Sequence, residues 1–180
     1  MTSFDLETLR QDFFTLFGLS RQQGLDTDQL ELIYRDIQTK VHPDKHAHLA
    51  DSDKRLAMQW ATHVNEAYQT LKDPLKRARY LLHLAGHDVR LETNTAMPAE
   101  FLMAQMELRE AVAEAKDAGD AEMLDGLHQR LRQEVRAEYG LLQQALDANV
   151  LERAGELVRQ LMFQEKLLQE VDDALALVEG

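Results

Sequence analysis

The segment Leu30-Glu31-Leu32-Ile33-Tyr34-Arg35-Asp36-Ile37-Gln38-Thr39-Lys40-Val41-His42-Pro43-Asp44 sets Leu30, Ile33, Tyr34, Ile37 and Val41 three or four residues apart and then meets a proline. That spacing marks one face of an amphipathic helix. The predicted span is Thr27 to Val41, with Asp26 or Thr27 accepting backbone N–H groups at its start. Pro43 stops it, because the residue before a proline is driven out of the α region. A second helix is expected from near Ser52 or Asp53 to Asp73-Pro74. It carries Ala57, Ala61, Val64, Tyr68 and Leu71 at helical spacing, with Leu56 and Trp60 beside them. The two helices form an antiparallel pair with His42-Pro43-Asp44 at its tip.

Working outward, residues 4–19 read as a helix rich in Phe and Leu with Gly18 near its stop. Beyond Asp73, Pro74 suits a first helical position, and Leu75 to Ala85 continue to Gly86. Residues 86–98 lose periodicity and form a candidate linker. Three further helices are expected near 98–118, 120–147 and 149–178, separated by Gly119-Asp120 and with Asn149 starting the third. Short connections make consecutive helices antiparallel neighbours, so a three-helix bundle follows. Few prolines and glycines, with abundant Ala, Leu, Glu and Gln, agree with an all-α chain.

Composition excludes several chemistries. The 180 residues contain no cysteine, so disulfides, thiolate catalysis and Cys-ligated zinc or iron–sulfur centres are absent. No basic and apolar leader opens the sequence, and no apolar run approaches ~18 residues, so a cytoplasmic protein with no membrane span is expected. The net charge is −12. Residues 1–95 hold 12 basic and 14 acidic side chains, or −2, whereas residues 96–180 hold 8 and 18, or −10. Nucleic acid is a poor partner for such a chain, since affinity for it rests on neutralising phosphates. The asymmetry suggests two halves with different tasks.

Pro43 has a fixed φ and no N–H, so it stiffens the exit from the helix and sets His42 and Asp44 at the tip. A carboxylate on a rigid loop suits a guanidinium on another protein, where charge-assisted pairing is strong and directional. The alternative is an ordinary helix end followed by a Pro-Asp turn. His42, His46 and His48 invite a zinc reading, but Pro43 breaks the helix that would align them and no carboxylate completes a ligand set. No metal or other cofactor is expected.

Helix 98–118 carries two apolar strips. At ~100° per residue, Phe101, Ala104, Leu108, Ala111, Val112 and Ala115 share one arc, a core stripe roughly 100° wide. Leu102, Met106 and Ala113 fall roughly 100° to 140° away and Met103 near roughly 200°, with Glu107, Glu110 and Glu114 beside it. Exposed Met and Leu with an acidic border fit a docking surface, and thioethers adapt well to a partner. The alternative is that the helix at 75–85 or the linker covers the strip. On the last helix Leu157, Leu161, Leu168, Val171, Leu175 and Val178 form the core stripe, and Phe163 points away from it.

The helical pair around His42-Pro43-Asp44, with Asn65-Glu66-Ala67-Tyr68 on its return helix, resembles the J-domain family, which activates the ATPase of DnaK-class chaperones. Behind it stand Tyr80-Leu81-Leu82-His83-Leu84-Ala85-Gly86, Phe101-Leu102-Met103-Ala104-Gln105-Met106-Glu107-Leu108-Arg109-Glu110 and Leu157-Val158-Arg159-Gln160-Leu161-Met162-Phe163. The combination, from about Asp12 onward, resembles the bacterial HscB family of J-proteins. That resemblance implies an L-shaped, all-α co-chaperone, not an enzyme. A J-domain over residues 11–86 stimulates an HscA-type chaperone, 87–97 is a linker, and the bundle at 98–180 binds the iron–sulfur scaffold IscU. It implies chaperone contacts at His42, Pro43, Asp44, Arg35, Lys40 and Lys45, with Asp44 meeting an arginine of the chaperone. It also implies scaffold contacts at Leu102, Met103, Met106, Glu107, Glu110, Glu114 and Phe163, with Met106 where the family carries leucine and Ala113 where it often carries bulk. A J-protein for a different client is the other reading.

Overall fold

The computed structural model describes residues 10–41, 51–87 and 97–179. These form α1 (Phe13–Leu16), α2 (Thr27–Val41), α3 (Asp51–Lys72), α4 (Pro74–Leu84), α5 (Ala99–Ala118), α6 (Ala121–Asp147) and α7 (Leu151–Glu179), with no strand among the described residues. The all-α expectation holds. The chain divides into two compact units, Met1–Leu81 and Leu82–Gly180. His42, Pro43, Asp44, Lys45, His46 and His48, and linker residues 88–96, lie outside the described residues.

Local chemistry sets the helix ends. Asp26 caps α2, its Oδ1 accepting from the N–H groups of Asp28 and Gln29 at 3.0 and 3.1 Å. Asp73 does the same for α4 through Leu75 and Lys76, both at 2.9 Å, and Pro74 takes the first helical position. Gly119 closes α5 in the left-handed region at φ 66°, and Asp120 then caps α6 through the N–H of Met123. Two expectations need correction. α1 is only four residues long and starts at Phe13, because the Asp12 side chain captures the N–H groups of Phe14 and Thr15; residues 4–9 lie outside the description. Asn149 does not start α7. It turns the chain at φ 55°, the following N–H of Val150 donates back to Ala145, and the helix begins at Leu151.

In the first unit α2 and α3 run antiparallel. Glu31 near the start of α2 faces Lys72 at the end of α3, and Tyr34 stacks on Tyr68 with ring centroids 3.9 Å apart. Tyr34 Oη also donates to Asn65. Of the expected α2 face, Leu30 is fully buried and Ile33, Tyr34 and Ile37 are half-buried. Across from it Ala57, Trp60, Val64, Ala67, Tyr68 and Leu71 are buried. Phe14 from α1, Phe17 just beyond its end and Ala78 from α4 are buried as well. Deleting a buried leucine such as Leu30 or Leu71 would cost about 2–5 kcal/mol.

A polar clasp that spacing does not reveal joins the connection before α2 to the α3–α4 turn. Arg77 is buried; its Nε donates to the carbonyl of Gln23 and its Nη1 to that of Leu71. Gln23 in turn donates to the carbonyl of Pro74 at 2.9 Å.

The second unit is a three-helix bundle. α6 and α7 run antiparallel, tied by His128 to Asp172 at 2.9 Å and by Tyr139 to Glu165. α5 lies parallel to α7, with Phe101 beside Phe163 and Arg109 beside Glu170. Leu108, Val112, Leu124, Leu131, Leu167 and Val171 fill the centre, flanked by half-buried Leu168, Leu175 and Val178. His87, expected as linker, packs on α7. A Cβ at Gly155 would sit 3.1 Å from its Nε2, and Glu152 lies 3.8 Å from its Nδ1.

Candidate docking surfaces

Along α5 the buried residues are Gln105, Leu108, Val112 and Ala115. The core arc is therefore turned relative to the sequence wheel: Ala104, expected inside, is exposed, and Gln105 takes its place. A polar side chain gives no hydropathic sign of burial, and a lone alanine gives little of exposure. Phe101 and Ala111 are half-buried at the edges of the arc.

The second strip faces outward. Met103 and Met106 are each 62% exposed and Leu102 37%. Glu107, Glu110, Ala113 and Glu114 on the same side are also exposed. Within the bundle, neither α6 nor α7 buries these side chains. Phe163, on α7, is 37% exposed. Its ring meets that of Phe101 edge-on, with centroids 6.3 Å apart and planes at 87°. Such an edge-to-face pair contributes about 0.5–1.5 kcal/mol beyond area burial. Phe101 immediately precedes Leu102 on α5, so this ring contact brings Phe163 to the helix that bears the strip. Arg109 lies on the α7 side of α5, its Nε 3.4 Å from Glu170.

On the first unit, Arg35 and Lys40 project from α2 into solvent. Each is paired one turn back, Arg35 with Glu31 and Lys40 with Asp36 at 2.5 Å. Exposed pairs of this kind hold their partners weakly, about 0.3–0.5 kcal/mol. Asp36 and Glu31 thus temper the basic face of α2, as their places in the sequence suggest.

Asp12 is the most perturbed carboxylate. Burial works to raise its pKa, but hydrogen bonds from the side chains of Arg21 and Thr15 and the backbone of Thr15, with the charge of Arg21, bring it from 3.8 to about 2. It caps α1 in the first unit. Burial raises the pKa of Glu138 on α6, with Arg153 opposing the shift and Glu134 adding to it. Among the described residues no group of three His, Asp or Glu side chains could hold a metal ion, and no helix is long and apolar enough to cross a membrane.

The family described as the DnaJ domain matches residues 12–80, and that described as the HSCB C-terminal oligomerisation domain matches residues 97–172. The co-chaperone protein HscB homolog of Aromatoleum aromaticum is 53% identical over 172 residues, covering 95% of this chain and 97% of that protein. The chain belongs to the HscB co-chaperone family. The HscB homolog of Ralstonia nicotianae is 52% identical, covering 90% of this chain and 93% of its own. Among solved structures, the chaperone HscB from Vibrio cholerae superposes with a TM-score of 0.84 at 35% identity, covering 93% of this chain and 99% of that one. Human co-chaperone HscB gives a TM-score of 0.85 at 26% identity, covering 91% and 81%. The HscB-family chain therefore pairs a J-domain, whose partner is a DnaK-class chaperone, with an HscB-type bundle.

Proposed function

We propose that this HscB-family chain is an adaptor that captures an IscU-type iron–sulfur scaffold and presents it to an HscA-type chaperone. The observation that carries the reading is the exposed face of Leu102, Met103, Met106 and Phe163 edged by Glu107, Glu110 and Glu114. A solvent-facing apolar strip assembled from two helices, with carboxylates along one side, suits a folded partner that offers apolar and basic groups together. The strip takes the scaffold. The J-domain takes the chaperone through His42, Pro43 and Asp44, with Arg35, Lys40 and Lys45 steering the approach to an acidic surface. The working division is residues 11–86 for the chaperone, 87–97 as linker and 98–180 for the scaffold. The chain performs no chemistry and needs no cofactor; its product is an encounter, and the chaperone hydrolyses the ATP. Joining two binding modules raises the local concentration of scaffold at the chaperone. It acts in the cytoplasm.

The test separates the two modules. Asp44→Asn keeps the shape of the loop and removes its charge. Stimulation of the HscA-type ATPase should fall to the basal rate, while titration of the variant with apo-scaffold gives the wild-type Kd. Full stimulation by Asp44→Asn would refute the role given to the loop. Simultaneous loss of scaffold binding would refute the division of labour.

A further inference from the structure

The strip on α5 carries the two most exposed thioethers among the described residues. Met103 and Met106, at 62% each, stand three residues apart on one side of the helix. The chain has no cysteine, so thioethers are its only sulfur, and no thiol competes for an oxidant. We propose that Met103 and Met106 form an oxidation site on the docking strip, at which a hydroperoxide converts thioether to sulfoxide and releases the scaffold. The inference rests on the strip being the scaffold-binding surface.

The chemistry balances with the hydroperoxide as sole co-reactant. The sulfur lone pair attacks one peroxide oxygen, the O–O bond breaks and an S–O bond forms. The second oxygen takes the electron pair of the O–O bond and the proton of the attacked oxygen, and leaves as water, or as the alcohol from an organic hydroperoxide. Sulfur loses two electrons and the peroxide gains them. The product is polar, chiral and reducible. A sulfoxide oxygen pressed against an apolar partner needs a hydrogen-bond donor. The exposed side chains around it supply almost none: Leu102 and Ala113 are apolar, and Glu107, Glu110 and Glu114 only accept when ionised. Arg109, three residues beyond Met106, is half-buried and turned toward Glu170 on α7, 3.4 Å from its Nε. Oxidation thus places a strong dipole, with few donors around it, on the strip and beside carboxylates that repel it.

A third methionine provides an internal control. Met58 on α3 is 60% exposed, so it meets peroxide as readily, yet it lies in the other unit. The experiment treats the full chain with hydrogen peroxide under native conditions and locates sulfoxides by mass spectrometry. Helicity is checked by circular dichroism, and the chain is titrated with purified apo-IscU-type scaffold. Oxidation should raise Kd by about tenfold or more at unchanged helicity, and methionine sulfoxide reductases should restore it. Met58→Leu should lose affinity on peroxide treatment as the wild type does. The pair Met103→Leu/Met106→Leu, whatever its own starting Kd, should show the same Kd before and after treatment. Unchanged wild-type binding after treatment overturns the proposal, whether the two thioethers have become sulfoxides or stayed intact. Equal loss by the double leucine variant overturns it too. Failure of the untreated chain to bind scaffold would instead sink the reading of the strip itself.

Discussion

Two charged side chains, buried Arg77 and half-buried Asp12, fix the first unit, and each makes a prediction of its own. Arg77 satisfies the carbonyls of Gln23 and Leu71 from inside the fold. Nothing in the spacing of α4 distinguishes it from exposed Arg79, because burial of an arginine is decided by which carbonyls a neighbouring loop leaves open. Arg77→Ala should destabilise the first unit by about 3 kcal/mol, since hydrogen bonds from a charged group are lost and their acceptors stay buried. Chemical denaturation followed by the fluorescence of Trp60, the sole tryptophan and itself in that core, reads this directly. Asp12 works through pH. Its folded pKa of about 2 lies below the ordinary 3.8, so the contribution to stability is fully present above the ordinary value and is lost as pH falls towards 2. Denaturation midpoints at pH 5 and pH 2.5 should therefore lie closer together in Asp12→Asn than in the wild type.

At the scale of elements, α5 presents two faces, one packed and one outward, and the contact between Phe101, at the edge of the packed one, and Phe163 ties the helix to α7. A double-mutant cycle of Phe101→Leu and Phe163→Leu, read by scaffold affinity, should give a coupling of about 1 kcal/mol. Zero coupling would mean the two rings bind or pack independently. Helix extents were legible because prolines, glycines and capping aspartates punctuate them: α2 opens after Asp26, α4 opens on Pro74 and α5 stops at Gly119. α1 was not, since Asp12 begins a helix inside a run that looks uniformly helical. The outward direction of Met103 and Met106 was legible from the wheel, as both lie far from the arc of Leu108 and Val112. The inclusion of Gln105 and exclusion of Ala104 was not, because the final rotation of α5 is set by packing against α6 and α7, a few tens of degrees that hydropathy does not resolve.

For the whole molecule, the charge asymmetry visible in the sequence has a physical counterpart: the acidic half forms the bundle that bears the strip and its carboxylates. A partner met there is steered by charge, so raising salt should slow capture of the scaffold more than it speeds release. Stopped-flow association at two ionic strengths checks this. Calorimetric titration of the full chain with apo-IscU-type scaffold is the most direct test of the adaptor account, run in parallel on the wild type and on Leu102→Ala/Met103→Ala/Phe163→Ala. The account predicts a single-site binding heat for the wild type and a Kd raised by about a hundredfold or more in the variant, with helicity unchanged. Equal affinity for both chains, or a variant that fails because its bundle has unfolded, would contradict it.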